Sequence, residues 1–267
     1  MPSTYAHYRL GQTVREHLSG PAKKAVETFP QLYLIGLHGP DIFFYYKPIF
    51  STETNRIGYD THDKSGREFF ENAARVIKSH PDDKRYLSYI CGFICHFALD
   101  VTCHGYIDRK IADSGVCHTE IEVEFDRMLM TEDGLDPVRH KLAEHIVPSS
   151  ANAQAIQAFF PMTDIDHVKK ALKDMIFYND LIVAPGKPKR TFIKGLLKAS
   201  GNYDEMHGVV VNLKPNPKCR DSNETLRLLY GQAEKLAERL VAEYMDYLEG
   251  KGELDPVYDR NFGSYEV

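Results

Sequence analysis

An all-α fold is what this sequence predicts, and three observations carry it. Near the C-terminus Leu226, Leu229, Tyr230, Ala233, Leu236, Ala237, Leu240, Val241, Tyr244, Met245 and Leu248 recur at i, i+3, i+4, i+7, the spacing of one helical face. Residues that start and stop helices border similar stretches elsewhere. Strand-like alternation is missing except at the short, isolated Val209-Val210-Val211.

Along the chain, a helix is expected over 66–79, from Ser65 as cap with Glu68 three residues on, to the stop at Pro81. The next runs from Asp83 to Tyr106. Others follow at His118 to Met130, Pro137 to Val147, Ala151 to Phe159, Ile165 to Ile182 and Thr191 to Lys198. The last starts at Asp221, paired with Glu224 as a cap, and stops before Gly250; it reads as a packing helix without chemistry. The punctuated stretches are Phe50 to His62, Ala184 to Arg190 and Asn202 to Asn223. Within the second, Pro185-Gly186-Lys187-Pro188-Lys189-Arg190 is basic and reads first as a surface loop, second as an anion-attracting rim. No linker is long or low enough in complexity to force a boundary, so residues 1–267 are expected to form one multi-helix domain.

With 43% hydrophobic residues and 27% charged, the chain can bury a sizeable core. A net charge of −5 provides no global field for a polyanion, which disfavours nucleic acid as a bulk partner. The first residues do not resemble a signal peptide, and no later window approaches the roughly 18 apolar residues of a membrane span. A cytosolic protein is expected. Four of the five cysteines (Cys91, Cys95, Cys103, Cys117) fall in a stretch that reads as helix, which argues against a disulfide framework. Cys91 and Cys95, one turn apart, read as small buried hydrophobes rather than as a metal pair.

The chemistry sits in residues 89–108. On a helix turning about 100° per residue, His96, Asp100 and His104 share one face, each displaced by about 40°. That face lies among Phe93, Ile94, Phe97, Leu99 and Val101, where two imidazoles and a carboxylate are costly to bury unless something satisfies them. His96 and His104 stand about 12 Å apart along the axis, too far for one ion; Asp100 between them can bridge. The following helix repeats the device, with His118 and Glu122 one turn apart. Such a pair is weak evidence alone, but beside His-x3-Asp-x3-His it gains a partner. Upstream, Asp41 stands in a Gly-Pro turn before the aromatic run Phe43-Phe44-Tyr45-Tyr46, whose burial would carry it inward; helix capping is its other reading. His62 and His7 are imidazoles without evident structural duty.

With these residues assembled, the chain resembles the zinc-dependent phospholipase C family, which shares its fold with single-strand-specific nucleases. The resemblance runs by motif from His7 to about Glu122 and more loosely through the C-terminal helix. The His-x3-Asp and His-x3-Glu pairs are its specific part; His62 is matched by order and rough spacing. It implies an all-α fold with two or three zinc ions in a cleft between helices. His96 and Asp100, with Asp41 and His62, would bind one ion; His104, His118 and Glu122 a second; Asp100 and His7 a third. In secreted members the free amine and carbonyl of an N-terminal tryptophan complete the third site. This chain has no tryptophan, and removal of Met1 would leave the imino group of Pro2 five residues before His7.

The resemblance also implies hydrolysis of phosphate esters, a phospholipid or another small phosphodiester, by zinc-activated water, with Asp41 as candidate base and no nucleophilic side chain. A nuclease is the second reading, disfavoured by the acidic balance and the lack of interleaved basic and aromatic stretches. The third is a non-catalytic helical protein stabilised by metal. Structural zinc sites fill every position with protein ligands and catalytic ones leave a position open; His104, His118 and Glu122 supply only three. Imidazole and carboxylate ligands also suit iron or manganese.

Overall fold

In the computed structural model, which describes residues 4–263 and 265, the helices are α1 Thr4–His17, α2 Gly20–Thr28, α3 Pro30–Gly36, α4 Glu53–Asp63, α5 Gly66–Ser79, α6 Lys84–Ser114, α7 His118–Glu132, α8 Ser150–Gln157, α9 Ile165–Ile182, α10 Lys187–Ala199, α11 Tyr203–Met206 and α12 Arg220–Leu248. Short 3-10 turns fill some of the connections, and no strand occurs among the described residues. The all-α expectation is met.

α6 is the axis of the molecule. Asp83 caps it, accepting from the backbone amide of Arg85 at 3.1 Å, and Gly115 ends it in the left-handed region at φ 65°. α1, α2, α3, α8 and α12 all pack against it, and a helix surrounded in this way must be apolar on every side. By length and composition it is the one described helix that could cross a membrane, with a window of mean hydropathy 1.4, although the sequence promised no such window. Of that window 89% is buried inside the protein, so its apolar surface is already covered.

α3 meets α6 backbone to backbone. A Cβ on Gly36 would stand 2.2 Å from the Tyr89 carbonyl oxygen, and one on Gly92 2.2 Å from that of Tyr33. Two glycines therefore set the crossing distance. The hydroxyl of Ser88 donates to Phe29 O at 2.8 Å and that of Tyr33 to Gly11 O at 2.7 Å, which ties α1 and the α2–α3 corner to the same region. On the far side Tyr244 of α12 donates to Phe70 O of α5 at 2.8 Å.

Several elements depart from expectation. Residues 4–36 form three helices that periodicity did not reveal; Phe29 ends α2 and opens α3, and Pro30 takes the first position of α3, where its missing amide costs nothing. The stretch expected as a loop over 50–62 contains α4, started by a reciprocal capping box between Thr52 and Asn55 (3.1 and 2.8 Å). The helix expected from Pro137 to Val147 is instead a series of turns. His140 packs edge-on against Tyr5 and His145 stacks on Tyr8, both on α1. A continuous helix would turn those two histidines about 140° apart, so they could not both face α1.

α6 runs eight residues past Tyr106, and α10 begins at Lys187, so the basic segment is its first turn rather than a loop. α12 starts at Arg220 without a side-chain cap; Asp221 instead accepts from Lys110 at 2.7 Å. Val209 closes a 3-10 turn, and Val210 joins Ala184 and Ile193 in a small satellite core. All five cysteines are unpaired, with Cys91, Cys95, Cys103 and Cys219 buried. After α12 the chain returns to α4 and α5: Gly66 donates its amide to Arg260 O at 2.9 Å, and Phe262 donates to His62 O at 3.2 Å.

Candidate metal centre

The second half of α6 places His96, Asp100 and His104 on its inward face, all buried. α7 supplies His118 and Glu122, α1 supplies His7, the 3-10 turn Gly39–Tyr45 supplies Asp41, and α4 supplies His62. All eight residues singled out in the sequence fall into three groups, the first two sharing His96: His7, His96 and Asp100; Asp41, His62 and His96; His104, His118 and Glu122. Within each group the candidate ligand atoms lie within 4.8 Å of one another.

Asp100 is the joint. Its Oδ1 lies 3.2 Å from His7 Nε2 and 3.9 Å from His104 Nδ1, while its Oδ2 lies 3.1 Å from His96 Nε2 and 3.5 Å from His62 Nε2. Asp41 Oδ1 stands 3.1 Å from His62 Nε2. In the third group Glu122 Oε1 is 3.0 Å from His118 Nε2 and 3.5 Å from His104 Nε2. The glycine at 39, with φ 48°, lets the Asp41 turn lie directly on the His96 ring, because a Cβ there would meet His96 Cδ2 at 2.3 Å.

Backbone carbonyls fix two of the imidazoles. His62 Nδ1 lies 2.7 Å from Gly58 O, and His104 Nδ1 lies 2.9 Å from Phe262 O. A carbonyl can only accept, so each Nδ1 carries a proton and each Nε2 is turned toward the carboxylates, where an ion that displaces its proton can take the lone pair. That is the arrangement of metal-ligating histidines. Buried polar atoms without a hydrogen-bond partner gather at the same place: His7 Nδ1, Asp41 Oδ1, both ring nitrogens of His96, His118 Nε2 and Glu122 Oε2. Several of these sit 3.0 to 3.1 Å from an atom of opposite type, yet the approach is not aligned as a hydrogen bond. Burial at such positions is costly unless a cation takes the lone pairs.

The electrostatics agree. Burial works against the ionised form of Asp100, Asp41 and Glu122, but the surrounding imidazoles more than offset it: His96 and His104 hold Asp100 well below the usual carboxylate range, His96 and His62 lower Asp41, and His118 lowers Glu122. Burial likewise opposes charge on His62 and His104; the carboxylates Asp100 and Asp41 nevertheless raise His62 to about 10, and Asp100 with Glu122 raises His104 to about 9. His96, enclosed on all sides, goes the other way because burial outweighs its attraction to Asp100. Positive charge is wanted at these positions, and a metal ion would supply it while displacing the protons.

The residues therefore fit a metal cluster of borderline-soft ions: nitrogen and carboxylate oxygen donors, oriented from behind, around a water-sized cavity that His7, Asp100, His104 and Glu122 line. The side chain of His118 is one-third exposed and that of His62 18% exposed, so the centre opens to solvent at these two. The imino group of Pro2 proposed for the third site lies outside the described residues.

Three features escaped the sequence. Asp126, one turn beyond Glu122 on α7, accepts from the first amides of α1, Tyr5 N at 3.0 Å and Ala6 N at 2.8 Å, and thereby holds His7 in place. Its i+4 spacing from Glu122 was the available signal. His38 Nε2 pairs with His145 Nε2 at 2.7 Å behind His7 and His96, and burial keeps both below the usual histidine range, His145 at about 4. No local pattern links positions 38 and 145. The carbonyl of Phe262 comes from a segment that periodicity does not describe.

The family model described as zinc dependent phospholipase C matches residues 6–174, a span that contains all eight residues. No curated protein and no solved structure matches the chain.

Proposed function

The chain belongs to the zinc-dependent phospholipase C family, and from that premise we propose that it is a zinc-dependent phosphodiesterase acting on a phospholipid or another small phosphodiester. The observation that carries the reading is the gathering of three ligand groups, two of them sharing His96, with their unpartnered buried atoms, inside the matched span.

In this reading His96, Asp100, Asp41 and His62 hold one ion, His104, His118 and Glu122 a second, and Asp100 with His7 part of a third. Three buried carboxylates bring three negative charges, more than one divalent ion neutralises. When bound, zinc supplies a Lewis acid for phosphoryl oxygens and a lowered pKa for the attacking water. Gly58 O and Phe262 O keep His62 and His104 in the ligating tautomer. Asp126 fixes α1 and with it His7. Asp41, held ionised by His96 and His62, starts the reaction able to accept a proton at its carboxylate. The set His104, His118, Glu122 leaves a position without a protein ligand, and the His118 side chain, one-third exposed, lies next to solvent, which favours catalysis over a structural metal.

Elemental analysis of purified protein beside a substrate panel tests this. Bound zinc with turnover of a phosphocholine diester, and little of chromogenic phosphomonoesters or single-stranded DNA, is the expected result. Protein that takes up no transition metal would defeat the reading.

A further inference from the structure

On α7, Glu120 points about 200° away from His118 and Glu122, and a second group of ligand types meets there. Cys117, Glu120 and His207 bring a thiol, a carboxylate and an imidazole within 4.8 Å of one another. None belongs to the centre above.

Each is oriented from behind. His207 Nδ1 lies 2.9 Å from Tyr203 O, so it carries the ring proton and Nε2 presents a lone pair. That Nε2 is 3.4 Å from Glu120 Oε2 and 3.9 Å from Cys117 Sγ. The other oxygen of Glu120 is occupied, accepting from Asn212 Nδ2 and Asn216 Nδ2 at 2.9 Å each, which leaves Oε2 for the imidazole side. Cys117 is the residue capping α7, and its side chain makes no capping hydrogen bond to the helix. Thr119, 3.5 Å from Cys117 Sγ, gives its own proton to Glu205 O at 2.7 Å. The 203–208 loop can come this close only because residue 208 is glycine: a Cβ there would stand 2.3 Å from Glu120 N.

Three lone-pair donors thus face one another. We propose that Cys117, Glu120 and His207 bind a separate ion of the zinc class, which clamps the 203–208 loop to the start of α7. A thiolate beside an imidazole selects zinc or cobalt over magnesium or calcium, and the remaining position of a tetrahedron is open to water.

Sulfur makes the site separately visible, since the eight residues of the main centre offer only nitrogen and oxygen. Metal-free protein titrated with Co²⁺ is expected to develop a thiolate-to-cobalt charge-transfer band in the near ultraviolet. Cys117→Ser should abolish that band and lower bound metal by one ion per chain; His207→Ala should weaken cobalt binding at the same site by at least about tenfold. A cobalt-loaded wild-type protein without the band overturns the proposal, and this needs no variant to fold. So does a band that survives Cys117→Ser, or equal metal content in wild type and Cys117→Ser. The band is independent of phosphodiester turnover, so a failure here is distinguishable from a failure of the hydrolase reading.

Discussion

The two parts of α6 each send nine residues into the core but are completed in different ways. Residues 84–95 are closed by protein alone: Gly92 fits Gly36, Ser88 gives its proton to Phe29 O, and Tyr33 to Gly11 O, which leaves Tyr89 OH as the one unpartnered buried side-chain atom of that half. In residues 96–114 His96 has neither ring nitrogen in a hydrogen bond, and its neighbours His7, Asp41, His118 and Glu122 each leave a buried atom unpartnered. One half of the helix is a finished core. The other is a core shaped for ions, whose stability is tied to their binding.

The largest expected effect breaks the second half. Asp100→Ala removes the carboxylate shared by four imidazoles, and kcat/KM for a phosphodiester should fall by at least about 10³-fold with loss of bound metal, measured by kinetics and elemental analysis. Chelation of the wild type should likewise lower its unfolding temperature; an ion present at a thousand times its Kd contributes about 4 kcal/mol. The first half breaks through Gly92→Ala, where a Cβ 2.2 Å from a backbone oxygen forces α3 away. Its cost is expected at about 4 kcal/mol in chemical denaturation, while the chelation effect stays as large as in the wild type. If chelation no longer matters in Gly92→Ala, the two halves are not separate.

Asp126→Ala should sharpen the contrast. Two buried amides lose a charged acceptor, for about 3 kcal/mol, and metal held with His7 should be lost before that held by His104, His118 and Glu122. The smallest effect concerns His145, held neutral at about 4 by burial, against an ordinary value near 6.5. The unfolded chain takes up a proton first, so its share of stability is complete above pH 6.5 and is lost as pH falls toward 4. Relative to His145→Asn, the wild type should lose on the order of 2 kcal/mol across that window, read from unfolding at several pH values.

What the sequence disclosed followed the same divide between local and distant causes. α5, α7 and α9 were legible because their periodicity and stop signals lie within the helix, and five of the eight candidate ligands because His-x3-Asp-x3-His and His-x3-Glu are spacings on single helix faces; Asp41, His62 and His7 needed the family resemblance. α2 and α3 were missed because short helices with glycine and proline junctions show too few turns for a period to emerge, and α1 because no acidic residue in its first turn marks its start. The false helix over 137–147 had the right apolar spacing, but Tyr5, Tyr8 and His38, about a hundred residues upstream, claim its histidines. His207 and Phe262 likewise meet partners remote in sequence, Glu120 and His104, which no local pattern records.

The contact between His104 and the Phe262 carbonyl bears on when the centre can exist. A ribosome delivers His7 to Glu122 early, yet His104 has nothing to set its tautomer until residue 262 has emerged and folded back across α4 and α5. A nascent or clipped chain would carry every ligand and still lack the geometry for its second ion. Loading of the second ion would then follow docking of the segment around Phe262 onto α4 and α5.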